Sequence, residues 1–171
     1  MTLEALLFEG QAGPILLVVL TLLVAVIGWL PRGRRVRARK RPVIVVDGSN
    51  VMHWGGGEPS SEKLSSVLAA LIEAGFEPET WFDANVGYKL IGRYAGPGQL
   101  ARILPIPASS IRVVDKGTPA DPELIRSALR QRARIITNDR FQDWRMDFPA
   151  LEEEGRLISG RIRQGCPEFD L

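Results

Sequence analysis

The sequence predicts an α/β protein with an open, mostly parallel central sheet, preceded by one transmembrane helix. Three observations lead to this prediction. Short apolar runs, several of them ending in aspartate, alternate with longer amphipathic segments, and one uncharged apolar stretch lies near the N-terminus. Strands that are buried on both faces are continuously apolar, and strands that alternate with helices form parallel sheets.

Charge divides the chain into three parts. The formal charge of the 171 residues is +2, but residues 1–31 carry −2, residues 32–41 carry +7 and residues 42–171 carry −3. The presumed globular part is therefore not a strongly basic domain of the kind that binds nucleic acid through its net charge. Its single cysteine excludes an intramolecular disulfide, and one cysteine with one histidine excludes a structural zinc site. Any bound metal must be held by oxygen atoms.

Residues 14–30, PILLVVLTLLVAVIGWL, are predicted to be a transmembrane anchor. They contain no charged residue, and as a helix they span about 25 Å, the short end of what a bilayer needs. A cleaved signal peptide is the alternative, but it requires a positive region before the apolar run, where this chain has Glu4 and Glu9. The positive-inside rule then predicts an extracytoplasmic tail (1–13), a basic juxtamembrane linker (31–41) and a cytoplasmic domain (42–171).

The domain is predicted to alternate strands and helices along its length. The apolar runs predict strands at 43–47, 80–84, 111–115 and 134–139, and the segment 157–162 closes the chain. A helix capped by Ser60 or Ser61 carries apolar residues from Leu64 to Ile72 and ends at Gly75. Another begins near Pro119 and Pro122, and shorter helices are expected at 98–104 and 149–154.

Three of the predicted strands end with an aspartate: Asp47, Asp115 and Asp139. The carboxyl ends of parallel strands share one edge of the sheet, where ligands bind near the switch in strand order. Asp121 begins a helix, and Asp143 would share a face with Asp139 if the chain there were helical. A turn or a helix cap explains each aspartate alone.

Several carboxylates converging on one edge require a different explanation. Two such charges 4 Å apart repel each other by about 4 kcal/mol at an effective dielectric constant of 20. A divalent cation that prefers oxygen ligands, Mg²⁺ or Mn²⁺, relieves this repulsion. Such a site supports attack of activated water on a phosphodiester. No GxxxxGK[ST] or GxGxxG motif is present, which excludes the common phosphate-binding loops.

Three motifs in order along the chain resemble those of a known family. They are DGSNV (47–51), ADPELI (120–125) and IITNDRFQDW (135–144). They resemble the NYN branch of the PIN-like ribonucleases, and are most similar to its Regnase-type (MCPIP-like) group, over about residues 42–163. The resemblance implies a Rossmann-like PIN/NYN domain that cleaves RNA endonucleolytically with Mg²⁺ or Mn²⁺.

The resemblance also implies roles for individual residues. Asp47 would be the central metal ligand, with Asp121, Asp139 and Asp143 as the other acids, and Asn50 would position the site or the scissile phosphate. The family often has two adjacent acids where this chain has Ala120 and Asp121. The CCCH zinc finger of some relatives is excluded by the cysteine count.

Contacts with RNA require basic or aromatic side chains. The candidates for phosphate contact are two pairs of arginines, Arg126 with Arg130 and Arg140 with Arg145. The alternative for the first pair is a solvated helix face. Trp54, Trp144 and Tyr88 are candidates for stacking on bases, with burial in the core as the alternative.

The basic linker has two interpretations, which are compatible with each other. It would contact anionic lipid headgroups, at about 1 kcal/mol per basic residue, or gather RNA beside the domain. The sequence thus predicts a membrane-anchored, metal-dependent endoribonuclease acting on single-stranded or structured RNA. The alternatives are a catalytically weak RNA-binding scaffold and a nuclease acting on DNA, and a homodimer is left open.

Overall fold

The computed structural model describes residues 20–22 and 41–169. The chain forms two units, Met1–Lys40 and Arg41–Leu171. In the first unit, residues 20–22 are helical; the rest of the predicted tail (1–13), anchor (14–30) and linker (31–40) lies outside the described residues. Within the described residues, no helix has both the length and the apolar character needed to cross a membrane.

The second unit is built on a five-stranded parallel sheet, which confirms the predicted α/β class with a mostly parallel central sheet. Its strands are β1 (Val43–Asp47), β2 (Glu77–Phe82), β3 (Ile111–Val113), β4 (Ile135–Ile136) and β5 (Leu157–Ile158). Their order is β3-β2-β1-β4-β5, and every adjacent pair is parallel. A separate antiparallel hairpin follows, made of β6 (Gly160–Arg163) and β7 (Cys166–Phe169).

Helices connect the strands. They are α1 (Gly48–Val51), α2 (Ser61–Glu73), α3 (Val86–Ile91), α4 (Pro97–Leu100) and α5 (Ala120–Gln131). Short 3₁₀ helices lie at Ala108–Ser110, Gln142–Trp144 and Pro149–Glu152. Of the two predicted caps for α2, Ser60 and Ser61, the helix uses Ser60, whose hydroxyl accepts a hydrogen bond from the Lys63 backbone over 3.2 Å.

The central strand β1 separates two apolar layers. Ile44, Val45 and Val46 are all fully buried, and successive side chains point to opposite faces of a strand. Ile44 and Val46 therefore pack in one core with the apolar face of α2, while Val45 packs in a second core with that of α5. This three-layer arrangement explains why the run is continuously apolar.

Several predicted boundaries are wrong, because side chains take over backbone hydrogen bonds. The predicted strand 80–84 ends at Phe82, since the next amide, that of Asp83, donates to Ser49 Oγ over 3.0 Å. The predicted strand 134–139 is reduced to two residues. The amide of Asn138 donates to Asn50 Oδ1, and that of Asp139 donates to Thr137 Oγ1.

Other predicted boundaries differ from the observed ones because the chain changes direction or because the element is shorter than expected. The predicted strand 111–115 ends at Val113. The predicted final strand 157–162 is two strands, because the chain leaves the parallel sheet after Ile158 and enters the hairpin at Gly160. The short helix expected at 98–104 covers Pro97–Leu100, and the one expected at 149–154 is a 3₁₀ helix over Pro149–Glu152.

Candidate active site

The DGSN motif forms the turn from β1 into α1. Asp47 caps α1, its Oδ1 accepting a hydrogen bond from the Asn50 amide over 3.1 Å. Gly48 is required by space, since a Cβ there would lie 2.3 Å from the Phe82 ring. Ser49 accepts from the Asp83 amide. The motif therefore joins the carboxyl ends of β1 and β2.

This turn lies at the switch in strand order. From β1 the chain continues to β2 and β3 on one side of β1, whereas β4 and β5 lie on its other side. In open parallel sheets the crevice at such a switch, outside the carboxyl ends of the strands, is where ligands bind. Asp47 ends β1 at this point, and Thr137 to Asp139 directly follow β4.

Thr137 connects two of the predicted acids. Its hydroxyl donates to Asp47 Oδ2 over 2.9 Å and accepts from the Asp139 amide over 3.0 Å. Asp139 Oδ1 in turn accepts from the Phe141 amide over 2.7 Å. The loop after β4 is thereby held against the end of β1 by side-chain oxygens.

Asn50 also holds the loop after β4, through hydrogen bonds of its own. Its Oδ1 accepts from the Trp54 indole over 2.8 Å and from the Asn138 amide over 3.0 Å. The Asn138 side chain makes two hydrogen bonds with the backbone of Gly160, at 2.9 and 3.0 Å. Asn50 therefore holds the loop after β4 in place, and its Nδ2 has no acceptor among the described residues.

The charges of neighbouring acids act on Asp47. Asp47 is 6% exposed, and its burial raises its pKa from 3.8 to about 7. Hydrogen bonds from Thr137 and Asn50 oppose this rise, while the charges of Asp121 and Asp139 add to it. The crowding of like charges around a buried carboxylate is a frequent feature of functional sites.

Asp121 belongs to the same cluster. Its pKa is also raised, first by burial and then by Asp139, with Trp144 acting in the opposite direction and Asp83 adding to the rise. No cationic side chain of the described residues is among the causes that act on Asp47 or Asp121. We use the name acid cluster for Asp47, Asp83, Asp121 and Asp139.

The structure brings together three of the four predicted acids and adds one. The sequence pattern did not single out Asp83, because it lies within the predicted strand segment 80–84 and not at its end. The expected helical face shared by Asp139 and Asp143 is wrong, because Phe141 has a φ of +48° and Asp143 lies exposed on a 3₁₀ turn. Asp115 is exposed beyond β3 and lines a different pocket.

Among residues 20–22 and 41–169, no three Asp, Glu, His or Cys side chains are arranged to hold a metal ion as they stand. The chemistry of the acid cluster nevertheless fits a hard cation. Its donors are all carboxylates, and burial, followed by repulsion between them, raises the pKa of Asp47 and Asp121. Mg²⁺ and Mn²⁺ bind through such oxygen donors, and one or two carboxylates suffice when water and phosphate complete the coordination.

The four predicted arginines differ in their surroundings. Arg126 forms an ion pair with Glu123 at 2.5 Å and lies over the Phe148 ring. Arg145 lies 3.5 Å from Glu152 and donates to the Arg140 carbonyl. The exposed side chains of Arg130 and Arg140 have no protein partner in the described part of the chain.

The three candidate stacking residues also differ in how exposed they are. Trp54 is 4% exposed and packs against Phe169 at 6.3 Å between ring centroids, so it belongs to the core. Trp144 is half-buried against the second core. Tyr88 is 61% exposed and is available to a ligand.

Comparison with known proteins identifies the domain. Residues 40–159 match the family described as the Zc3h12a-like Ribonuclease NYN domain. The chain belongs to this family. The matched range contains all of the NYN domain's parallel sheet and the acid cluster, and it ends just before the β6–β7 hairpin. The predicted NYN domain is therefore confirmed, and with it an α/β ribonuclease fold.

A solved structure gives the same fold. The chain is similar to Arabidopsis thaliana nuclear protein-only RNase P 2 (PRORP2), with a TM-score of 0.56 and 16% identity. The likeness covers 96% of this chain and 36% of that chain, so this protein spans about a third of the relative's length. No curated protein matches the sequence. At this identity the structural likeness concerns the NYN fold alone.

Proposed function

We propose that this protein is a membrane-anchored, metal-dependent endoribonuclease that hydrolyses phosphodiester bonds of single-stranded or structured RNA. One observation carries the proposal. In a ribonuclease NYN domain, a buried aspartate, Asp47, meets further carboxylates at the switch in strand order, and burial and repulsion raise its pKa to about 7. A fold retains such an arrangement where a cation offsets it.

The acid cluster would hold Mg²⁺ or Mn²⁺, and Asp143 stays a predicted further ligand. When bound, the cation supplies Lewis-acid stabilisation of the charge that builds up on the phosphate. Thr137 keeps Asp47 oriented and favours its ionised form, since it donates to Oδ2. Asn50 keeps the loop bearing Asp139 in place, and its Nδ2 is available to donate to the scissile phosphate.

Asp83 would supply a carboxylate that relatives place elsewhere. The family often has an acid where this chain has Ala120, which is 5% exposed at the start of α5. Asp83 reaches the cluster from the end of β2 and acts on Asp121. We therefore propose that Asp83 replaces that acid, which favours an active enzyme over a catalytically weak scaffold.

Substrate contacts outside the cluster would come from arginines. Arg140 is the strongest candidate, because it adjoins Asp139 and its side chain is exposed and without a protein partner in the described part of the chain. Arg130 is exposed in the same way but lies near the end of α5. Arg126 and Arg145 would first have to leave Glu123 and Glu152.

The decisive experiment is cleavage of an end-labelled single-stranded RNA by the purified full chain with Mg²⁺ or Mn²⁺. Asp47→Asn is expected to abolish internal cutting, while Asp147→Asn, an exposed aspartate outside the cluster, serves as the matched control and retains it. Equal cutting by the wild-type and Asp47→Asn proteins would overturn the proposed site. Cutting of DNA but not RNA of the same sequence would establish the alternative nuclease, and binding without cutting would establish the scaffold.

We further propose that residues 14–30 anchor the protein with its domain in the cytoplasm, and that the basic linker contacts anionic lipid. The support is the uncharged apolar run followed by +7 over residues 32–41. Cys166, the only cysteine in the sequence, is exposed and reports topology directly. A membrane-impermeant maleimide should label it only after cell lysis. Labelling in intact cells, or release of the protein by an alkaline carbonate wash, would contradict this proposal.

A further inference from the structure

A pocket near the acid cluster is lined by two exposed tyrosines. Its volume is about 470 Å³, and Tyr88, Tyr94, Asn85, Asp115 and Lys116 line it. Tyr88 is 61% and Tyr94 65% exposed. Pockets that bind small organic groups usually measure about 300–1,000 Å³, so this one can hold a nucleotide-sized group.

Close backbone packing builds this pocket. Helix α3 ends at Gly92, whose φ of +69° reverses the chain. The returning loop passes so near α3 that a Cβ at Gly87 would lie 2.3 Å from the Ala95 amide and 2.4 Å from the Arg93 carbonyl. Because only glycine allows this approach, the loop brings Tyr94 to the same rim as Tyr88.

The pocket lies at the same edge of the sheet as the acid cluster. Asn85 is two residues after Asp83, a member of the cluster. Val114, on the other side of the pocket, donates from its amide to the Phe82 carbonyl over 3.1 Å. The pocket therefore opens at the carboxyl ends of β2 and β3, next to the site at the ends of β1 and β4.

The charges in the pocket are balanced, and the chain segment around it is basic. The domain from 42 to 171 carries −3, yet the segment 84–116 has one acid, Asp115. Its basic residues are Lys89, Arg93, Arg102, Arg112 and Lys116. Five basic residues and one acid give this stretch a net charge of +4, although Arg112 is paired with Glu79. In the pocket itself Lys116 lies beside Asp115.

We propose that this pocket binds an unpaired base of the RNA strand next to the scissile phosphate. Tyr88 and Tyr94 provide the stacking surface, and Lys116 neutralises the adjoining phosphate. Exposed aromatic rings beside cationic groups are the means by which proteins hold single strands, because a paired base has its faces covered. The proposal deepens the proposed function and rests on it for the identity of the polymer.

The test measures binding without cleavage. Purified full chain carrying Asp47→Asn is titrated into a fluorescein-labelled single-stranded RNA, and anisotropy gives the affinity. The double variant Tyr88→Ala with Tyr94→Ala is expected to bind about tenfold more weakly or worse, since loss of one stacked base has that effect. Tyr88→Phe with Tyr94→Phe is the matched control and should bind within about twofold of the parent, because the ring faces remain.

A second readout locates the base. RNA containing 5-bromouridine, irradiated in the complex, should crosslink to the peptides that contain Tyr88 and Tyr94. Unchanged affinity of the alanine variant, or crosslinks confined to other peptides, would overturn the proposal and leave the pocket to a protein partner. An equal loss with the phenylalanine variant, or an equal loss for fully duplex RNA, would overturn stacking on an unpaired base.

The two proposals fail in different ways. If wild-type protein does not cut this RNA but the tyrosine pair still governs binding and crosslinking, the endoribonuclease proposal fails and the pocket stands. If wild-type protein cuts the RNA and the alanine pair cuts it with unchanged KM and kcat, the pocket proposal fails alone. Thermal unfolding of each variant checks the fold, and both side chains are exposed enough that truncation leaves the core intact.

Discussion

The Thr137 hydroxyl donates a hydrogen bond to Asp47 Oδ2 over 2.9 Å inside the core, although 90 residues separate them in the sequence. The bond joins the end of β1 to the loop after β4. It also favours the ionised form of a carboxylate whose pKa burial raises to about 7. Thr137 is therefore a positioning residue on which the proposed chemistry depends.

Replacing Thr137 should shift the pH dependence of cleavage. Thr137→Val removes the donor, so the pKa of Asp47 rises further and the acid limb of the pH–rate profile moves to higher pH. Hydrogen bonds to charged groups contribute about 1.5–3 kcal/mol, which corresponds to about one to two pH units. Thr137→Ser keeps the hydroxyl and should keep the profile. An unshifted profile for Thr137→Val would show that this bond does not control Asp47.

Asp47 should make the metal-free protein less stable as pH rises. Its pKa is about 7 in the folded chain against 3.8 as the ordinary value. The folded state binds the extra proton between these values, so the free energy of unfolding falls as pH rises from about 4 to about 7. The upper limit is about 4 kcal/mol, at about 1.4 kcal/mol per pH unit.

Asp47→Asn removes this titration. In EDTA, its unfolding temperature should exceed that of the wild-type protein at pH 8, and the difference should shrink towards pH 4. Thermal unfolding followed by circular dichroism across this range measures both. A wild-type protein that gains stability relative to Asp47→Asn as pH rises would contradict the burial of an uncompensated carboxylate.

Divalent metal should stabilise the folded chain through the acid cluster. A ligand at 100 times its Kd adds about 2.7 kcal/mol to the free energy of unfolding. The increase in Tm that Mg²⁺ or Mn²⁺ causes should therefore be smaller in the Asp139→Asn and Asp83→Asn variants than in the wild-type protein. We expect Asp143→Asn to change it least, because Asp143 is exposed on a separate turn. A full metal-dependent rise in Asp139→Asn would exclude Asp139 as a ligand.

Substitution of Arg140 should affect RNA binding, whereas substitution of Arg126 should affect the stability of the fold. Arg140→Ala should weaken binding to all RNA sequences and lower the salt dependence of log K by about 1, as expected for the loss of one phosphate contact. Arg126→Ala should leave RNA affinity unchanged and cost about 0.5–1 kcal/mol of stability, since Arg126 contacts Glu123 and Phe148. Salt titrations of RNA binding and thermal unfolding distinguish these two effects. Weaker RNA binding by Arg126→Ala, with Arg140→Ala unchanged, would assign the phosphate contact to Arg126 instead.

Gly160 should be intolerant of a side chain. A Cβ there would lie 2.5 Å from the Trp54 ring, and Asn138 holds the Gly160 backbone by two hydrogen bonds. Gly160→Ala is expected to cost about 1–3 kcal/mol. Gly98→Ala is the matched control, since no atom lies within 4 Å of its Cβ position. Equal stability of the two variants would show that the hairpin is not fastened through Gly160.

The local sequence determined where the strands of the parallel sheet and the two long helices lie, because burial on two faces and helical periodicity are properties of short stretches. VIVVD is apolar enough to lie at the centre of a sheet, and Ser60 begins a helix as its hydroxyl predicts. The DGSN motif indicated where Asp47 lies, at the carboxyl end of β1, since an acid after a buried parallel strand lies at the edge of the sheet where ligands bind.

The tertiary structure alone decided which acids meet. Strand order places β2 beside β1, so Asp83 joins the cluster, while β3 lies outside them and Asp115 lines another pocket. Asp143 lies on a separate turn, because Phe141 adopts a positive φ and no helix continues from Asp139. Spacing in the sequence cannot reveal these relationships. They depend on which strands pair, and on hydrogen bonds between residues far apart in the sequence, such as those from Thr137 to Asp47 and from the Asn138 amide to Asn50.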